Sequence, residues 1–339
     1  MLKETIKKND TYSGQGSTLS GWWKKVFLAV FVAGSFFLGM YLDFFFHNEL
    51  CHGDYEYINR DNACLDKVID KRGYIELKRE LEEYFGLEGK AGRITHASVY
   101  FRDLNAGPAF GIKENETYSS ASLLKLPVAI AVLKEVEDDP TLLYQLFQVS
   151  DQSSVLEQFF SPSKSLEMGQ SYTMQQLLEH SLIYSDNTAN KIIKDYLYTR
   201  MGDNSIVITA LKDLGLILPQ SYEDEEITVR AYASLFRLLY NSSYLNPQYS
   251  ELLLSILVRS EFMAGLRAGV PDGILVAHKF GERYIGDTKQ LHDCGIIYYP
   301  DNPYLLCVMT QGDDFQELTK IIGTVSEMFY NEVNSRRLD

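Results

Sequence analysis

Ser122 and Lys125 stand three residues apart in SASLLKLPVAIAVL, a spacing that puts both side chains on one face of a helix. A hydroxyl near the positive end of a helix, with a lysine one turn on, makes a nucleophile with its own base, provided burial lowers the lysine's pKa. The pair alone is a weak signal. Ser161 to Lys164 (SPSK) repeats the spacing, and a serine at a helix start is commonly a cap.

Order and company strengthen it. Ser185-Asp186-Asn187, in YSDNTANKII, follows Ser122 by 63 residues, and Lys279, in VAHKFG, follows Ser185 by a further 94. Each part has a bland reading: Ser185 to Asn187 as another helix cap, Lys279 as a strand lysine, and a second K-x-G at Lys90 to Gly92. Together they supply what attack on an amide carbonyl requires: a deprotonated nucleophile, donors where the oxyanion develops, and an acid for the leaving nitrogen. Lys279 close to Lys125 would also help keep one ammonium neutral by like-charge repulsion.

The elements that must position these residues follow from periodicity. Period-two alternation predicts a hairpin over Ala97 to Ile112. Helical patterns run over Ser122 to Glu137, Thr173 to Tyr184, Thr188 to Tyr196, Ile206 to Leu214, Thr228 to Tyr240 and Tyr249 to Ser260. Strands return as ILVAHKF, CGIIYYP and YLLCVMT, the last two around a Pro-Asp-Asn-Pro turn, and a final helix covers Phe315 to Asn334. Strands from both chain ends with helices between them predict an α+β layout, not alternating βαβ units.

Through SLLKLP, YSDNTA, VAHKFG, the preceding ASVYFRDLNAGPAFGIKENETYSSA and the closing HDCGIIYYPDNPYLLCVMT, the chain resembles the class A β-lactamase and penicillin-recognising serine hydrolase family over about Ile94 to Asn334. The resemblance implies a β-lactamase/transpeptidase-like fold: an antiparallel sheet of about five strands flanked by helices, with a helical subdomain inserted between strands 2 and 3. It implies Ser122 as the acylated nucleophile, Lys125 as its activating partner, and Ser185 with Lys279 passing a proton to the leaving nitrogen. Asn187 would hold the substrate's side-chain amide, Phe280 and Gly281 would line the substrate, and the N–H groups of Ser122 and Glu282 would form the oxyanion hole. The implied activity is a covalent acyl-enzyme on a β-lactam or related amide. The alternatives are a D-alanyl-D-alanine peptidase of the penicillin-binding type, acting on a peptidoglycan stem peptide, and a non-catalytic cell-envelope binding protein.

Two departures from the family pattern stand out. Phe280 replaces the hydroxyl of K-T-G or K-S-G, and a phenyl ring cannot bond a substrate carboxylate, which leaves Lys279 or Arg283 for that role. No E-x-x-L-N string supplies a deacylating glutamate, and the candidates in PQSYEDEEITVR are Glu223, Glu225 and Glu226, in an acidic run that also reads as a solvated loop.

Composition bounds the rest. Of 339 residues, 32 are Lys or Arg and 46 Asp or Glu; a net charge of −14 argues against nucleic-acid binding. Six scattered histidines and the lack of C-x-x-C or H-E-x-x-H predict no metal and no cofactor. Val26 to Leu42 is apolar and long enough to cross a bilayer, with Trp22, Trp23, Lys24 and Lys25 before it and acidic residues after. This predicts a cytoplasmic tail over 1–24, an uncleaved signal anchor over 25–46, a stalk with a helix over 47–90 and an extracytoplasmic hydrolase domain over 91–339. Cys51 with Cys64, and Cys294 with Cys307, are the local pairs available for disulfides, with buried thiols as the alternative.

Overall fold

The computed structural model describes residues 56–58, 74–105, 107–151, 158–201 and 226–337, with individual helical positions between 23 and 38. Residues 1–22, most of the segment after 38, Cys51, Cys64, the helix expected over 206–214, Glu223 and Glu225 lie outside the described residues. The chain divides into two units, Met1–Asp54 and Tyr55–Asp339. In the first, the described positions are helical, with Phe27, Leu28, Phe31 and Phe37 exposed. Among the described residues no helix is long and apolar enough to cross a membrane.

The second unit opens with α1 (Ile75–Lys90) and the hairpin β1 (His96–Asp103) and β2 (Ala109–Ile112). A short β3 (Thr117–Ser119) leads into a 3₁₀ turn (Ala121–Leu124) and α2 (Lys125–Asp138). There follow β4 (Leu146–Gln148), β5 (Ser171–Thr173), α3 (Met174–Ile183), α4 (Asn187–Met201), β6 (Glu226–Thr228), α5 (Val229–Tyr240) and α6 (Pro247–Val258). The chain returns to the sheet as β7 (Val276–Ile285), β8 (Thr288–Ile297) and β9 (Tyr304–Gly312), and closes with α7 (Phe315–Arg337). The main sheet is antiparallel with the order β2-β1-β9-β8-β7, so strands from the two chain ends meet at β1 and β9, as the α+β reading requires. The pairings β3 with β6 and β4 with β5 were not anticipated; three-residue strands carry too little alternation to register.

The sheet is covered on both faces, which explains why β9 opens as a continuous apolar run, Tyr304 to Met309, although its neighbours are antiparallel. Alternate residues of β9 divide the work. Leu306 and Val308 join Leu77, Leu81, Phe101 and Phe329 beneath α1 and α7, whereas Leu305, Cys307 and Met309 pack with Leu126, Leu177 and Leu235 of the inserted helices. The helix expected within a stalk therefore lies, as α1, inside the folded unit: Leu77 and Leu81 are buried, and the Arg336 guanidinium sits over the neighbouring Tyr74 ring. Cys294 and Cys307 face one another in register on β8 and β9 and are joined as a disulfide, resolving that pair in favour of the bridge.

Phe101 is the hinge pin of the sheet's α1/α7 face, with ring contacts to Tyr74, Phe110, Tyr304 and Phe329 at centroid distances of 4.6, 5.6, 5.7 and 4.8 Å. Phe101→Ala is expected to lower the stability of the unit by about 3–5 kcal/mol in urea denaturation. Tyr144→Ala, at an exposed ring, should stay within about 0.5 kcal/mol.

Candidate active site

Ser122 is not a helix cap. It lies in the 3₁₀ turn, whose entry residue Ala121 has φ of +49°, and neither the turn nor α2 has a side-chain cap. The left-handed residue turns the chain sharply out of β3, and α2 begins only at Lys125. From above, the fully buried Tyr232 of α5 donates its hydroxyl to the Leu123 carbonyl at 3.0 Å and pins the turn. From the side, β7 comes so close that a Cβ on Gly281 would lie 3.1 Å from the Leu123 nitrogen and 3.3 Å from that of Ser122. Glycine at 281 is what permits this approach.

Ser185 is held by the loop between α3 and α4, and it too is left-handed, with φ of +55°. Asp186 fixes that loop. Its Oδ1 accepts from Thr188 N at 2.7 Å and Ala189 N at 3.2 Å, capping α4, and its Oδ2 accepts from Leu166 N at 3.0 Å. Burial pushes the Asp186 carboxyl up, but His180 and the amides of Leu166, Ala189 and Thr188 outweigh it and hold the group below its ordinary value. The helix-cap reading of this motif thus applies to Asp186, and the capping is what aims Ser185.

The four residues named from spacing meet in one continuous array. Lys125 Nζ lies 3.0 Å from Ser122 Oγ, 3.0 Å from Ser185 Oγ and 2.5 Å from the Ser185 carbonyl oxygen. Lys279 Nζ reaches the same Ser185 Oγ at 3.0 Å from the other side and donates to the Phe280 carbonyl at 2.7 Å. Burial, and next the charge of Lys279, push Lys125 well below the ordinary lysine value, against the raising effect of Asp186 and Glu282. Burial likewise lowers Lys279 to about 7, against Asp293 and Glu282. Asn187 opens α4 directly after this array.

The other expectations divide. Gly281 stands at the nucleophile, and the Phe280 ring lies against the array, its centroid 4.3 Å from Lys279 Nζ. Alternation along β7 sends Phe280 into the α1/α7 side of the sheet, stacked on Phe262 at 4.1 Å, with 3% of its surface exposed. Glu282 brings a side chain to the site: the carboxylate accepts from Phe160 N at 3.2 Å, and burial raises its pKa against the amides of Phe160 and Phe159 and the charges of Lys125 and Lys279. Glu226 is exposed on β6, in register with Ser119. Ser161 and Lys164 lie in irregular chain, with Lys164 Nζ over the Tyr184 ring, and Lys90 ends α1; neither rival motif enters the array. Tyr232 and Gln158, whose Nε2 donates to the Ser185 carbonyl at 3.4 Å, were missed, because nothing local in sequence marks a long-range contact. Among the described residues no cluster of His, Cys, Asp or Glu could hold a metal ion.

A hydroxyl activated by a buried lysine, with a second serine and lysine behind it on an α+β frame, defines a serine acyl-transfer enzyme. Residues 76–333 match the family model described as the β-lactamase enzyme family, and the chain belongs to that family. It is 26% identical over 239 residues to the extended-spectrum β-lactamase PER-1 of Pseudomonas aeruginosa, covering 63% of this chain and 75% of that one. Among solved structures it is similar to the TLA-3 extended-spectrum β-lactamase, with a TM-score of 0.67 and 20% identity over 77% of this chain and 99% of that one. It is also similar to PBP-A, with a TM-score of 0.64 and 21% identity over 78% and 98%. The chain is a serine hydrolase of the class A β-lactamase type.

Because Lys279 has its pKa lowered to about 7 in the fold from an ordinary 10.5, it binds fewer protons folded than unfolded across that interval. Unfolding then takes up protons, and stability rises with pH by up to about 1.4 kcal/mol per unit per such lysine. Urea midpoints at pH 7.5 and 8.5 should show this slope in the wild type, and Lys279→Met should reduce it.

Proposed function

We propose that the protein opens β-lactams by forming an acyl-enzyme at Ser122, and that the acyl-enzyme is hydrolysed slowly. The observation that carries this reading is the unbroken array from Ser122 Oγ through Lys125 Nζ and Ser185 Oγ to Lys279 Nζ, each step 3.0 Å. In it, neutral Lys125 takes the Ser122 hydroxyl proton as Oγ bonds to the lactam carbonyl carbon. The N–H groups of Ser122 and Glu282 hold the oxyanion. As the C–N bond breaks, the Ser185 hydroxyl gives its proton to the leaving nitrogen and regains one from the lysines on either side. Asn187 would hold the side-chain amide of the substrate. β-Lactams are the substrate class named in the relatives reported above, and this supports the same class here. Slow hydrolysis is argued from the absence of an E-x-x-L-N string. That absence, with the likeness in fold to PBP-A, favours as second reading a penicillin-binding peptidase acting on peptidoglycan.

Acylation by benzylpenicillin opens the ring and loses no atom, so intact-mass spectrometry should show Ser122 carrying the full mass of the penicillin, in an adduct that persists over many minutes. Ser122→Ala should show none. Rapid disappearance of the adduct with accumulating product would overturn slow hydrolysis, and a wild type that never becomes labelled would overturn the β-lactam reading.

We further propose that the apolar segment Val26 to Leu42 anchors the protein with its N-terminus inside and the hydrolase outside, supported by the Trp22-Trp23-Lys24-Lys25 flank. A tag placed before Met1 should survive protease added to intact cells while the hydrolase domain is cleaved; loss of the tag from sealed cells would refute the orientation.

A further inference from the structure

β7 is an edge strand. One side is bonded to β8, and the other borders the nucleophile turn, where Gly281 meets Ser122 and Leu123. Gln158, Phe159 and Phe160 lie beside that edge. At one end Gln158 Nε2 donates to the Ser185 carbonyl, the same oxygen that accepts from Lys125. At the other, Phe160 N donates to Glu282 Oε1 at 3.2 Å and Oε2 at 3.4 Å, and the Phe159 amide bonds the same carboxylate. Between these two ties the Phe160 ring fills an aromatic slot, edge-on to Phe280 at 5.9 Å, to Phe262 at 5.0 Å and to Phe315 at 6.1 Å. Phe159 closes over Phe315 at 5.0 Å while remaining 45% exposed.

We infer that residues 158–160 form an internal occupant of the substrate groove, latched by the Glu282 carboxylate, and that Glu282 and Phe160 decide which substrates reach Ser122 by what is needed to displace them. Three observations converge. The three residues tie the Ser185 loop to β7, the two walls between which an acyl group must enter. The latch belongs to the residue directly after Gly281, the one whose N–H the acyl-enzyme reading assigns to the oxyanion, so the closed state holds a carboxylate near the place where negative charge must develop, an arrangement that opposes acylation. Opening releases that carboxylate to turn into solvent and at once empties an apolar slot of Phe262 and Phe280 beside Lys279. The strap's own chemistry, an aromatic ring flanked by amide N–H groups, indicates the class of acyl donor that best replaces it: one with an aromatic side chain next to an amide.

This inference rests on the acyl-enzyme reading above. Its test compares wild type, Glu282→Ala and Phe160→Ala in two measurements: the second-order rate of Ser122 acylation by benzylpenicillin, and hydrogen exchange at the Phe159 and Phe160 amides. If the strap competes with substrate, both variants should acylate about tenfold faster, equivalent to about 1.4 kcal/mol of closure. Exchange at the two amides should accelerate by a similar factor, and the gain in acylation should be smaller for 6-aminopenicillanic acid, which lacks the aromatic amide. Acylation that is equal or slower in both variants would overturn the strap as a competitor while leaving the acyl-enzyme intact. So would wild-type amides that exchange as fast as those of the variants. Absence of acylation in all three proteins would defeat the acyl-enzyme reading and this one with it.

Discussion

Two lysine side chains converge on one serine hydroxyl in the interior, and the rest of the molecule is organised around making that tolerable. Lys125 is 3% exposed and Lys279 fully buried, and both reach Ser185 Oγ. Two ammonium groups in that position would repel each other with little solvent between them, so at neutral pH the array favours a state in which one is uncharged. The uncharged lysine is the base that Ser122 requires. The arrangement works against stability: each lysine gives up its hydration, and carbonyl oxygens, hydroxyls, the Phe280 ring beneath Lys279 and the more distant charges of Asp186, Asp293 and Glu282 compensate in part. What holds it is a sheet packed on both faces, in which strand and helix cannot relax apart without opening two cores.

Within that frame, placement depends on a few unusual backbone positions. Ala121 and Ser185 are left-handed without being glycine, and they lie immediately before one serine and at the other. A non-glycine residue in this region stores strain of order 1–3 kcal/mol, retained only where neighbours over-determine it. Here Tyr232 pins the turn after Ala121, and the Asp186 carboxylate gathers three amides around Ser185. Gly281 adds the complementary device, a missing side chain that lets β7 come against the nucleophile.

Much of this was legible from residue order. The spacing of Ser122, Lys125, Ser185 and Lys279 anticipated the array, and alternation at both chain ends anticipated the sheet. Alternation also bears on Phe280, because adjacent residues of a strand leave it on opposite sides: the ring joins the Phe262 cluster, while the Lys279 side chain bends back over it to reach Ser185. The start of α2 was misread because Ser122 and Lys125 have helical spacing, whereas the chain arrives through a left-handed residue and spends its first turn as a 3₁₀ segment. A 3₁₀ turn eclipses residues three apart, so it keeps the two side chains together just as a helix would. The Tyr232 bond, the Gln158 contact and the Glu282 latch had no local signature, since each joins residues far apart in sequence.

Glu282 brings the opposing demands of the site onto a single residue. Its main chain sits at the end of the Lys279-Phe280-Gly281 run, where a donor to an oxyanion belongs, and its side chain carries the charge least suited to that neighbourhood. Burial raises the pKa of that carboxyl, and the amides of residues 159 and 160 with the charges of Lys125 and Lys279 oppose the rise only in part. Lys279 loses basicity through burial, and Lys125 through burial and the charge of Lys279, while the carboxylate restores part of it in both. Ionised and held near, Glu282 makes Lys125 a more protonated and hence poorer base; drawn away, it leaves both the oxyanion hole and the base better suited to attack. The reactivity of Ser122 is therefore tied, through one side chain, to whatever occupies the free edge of β7.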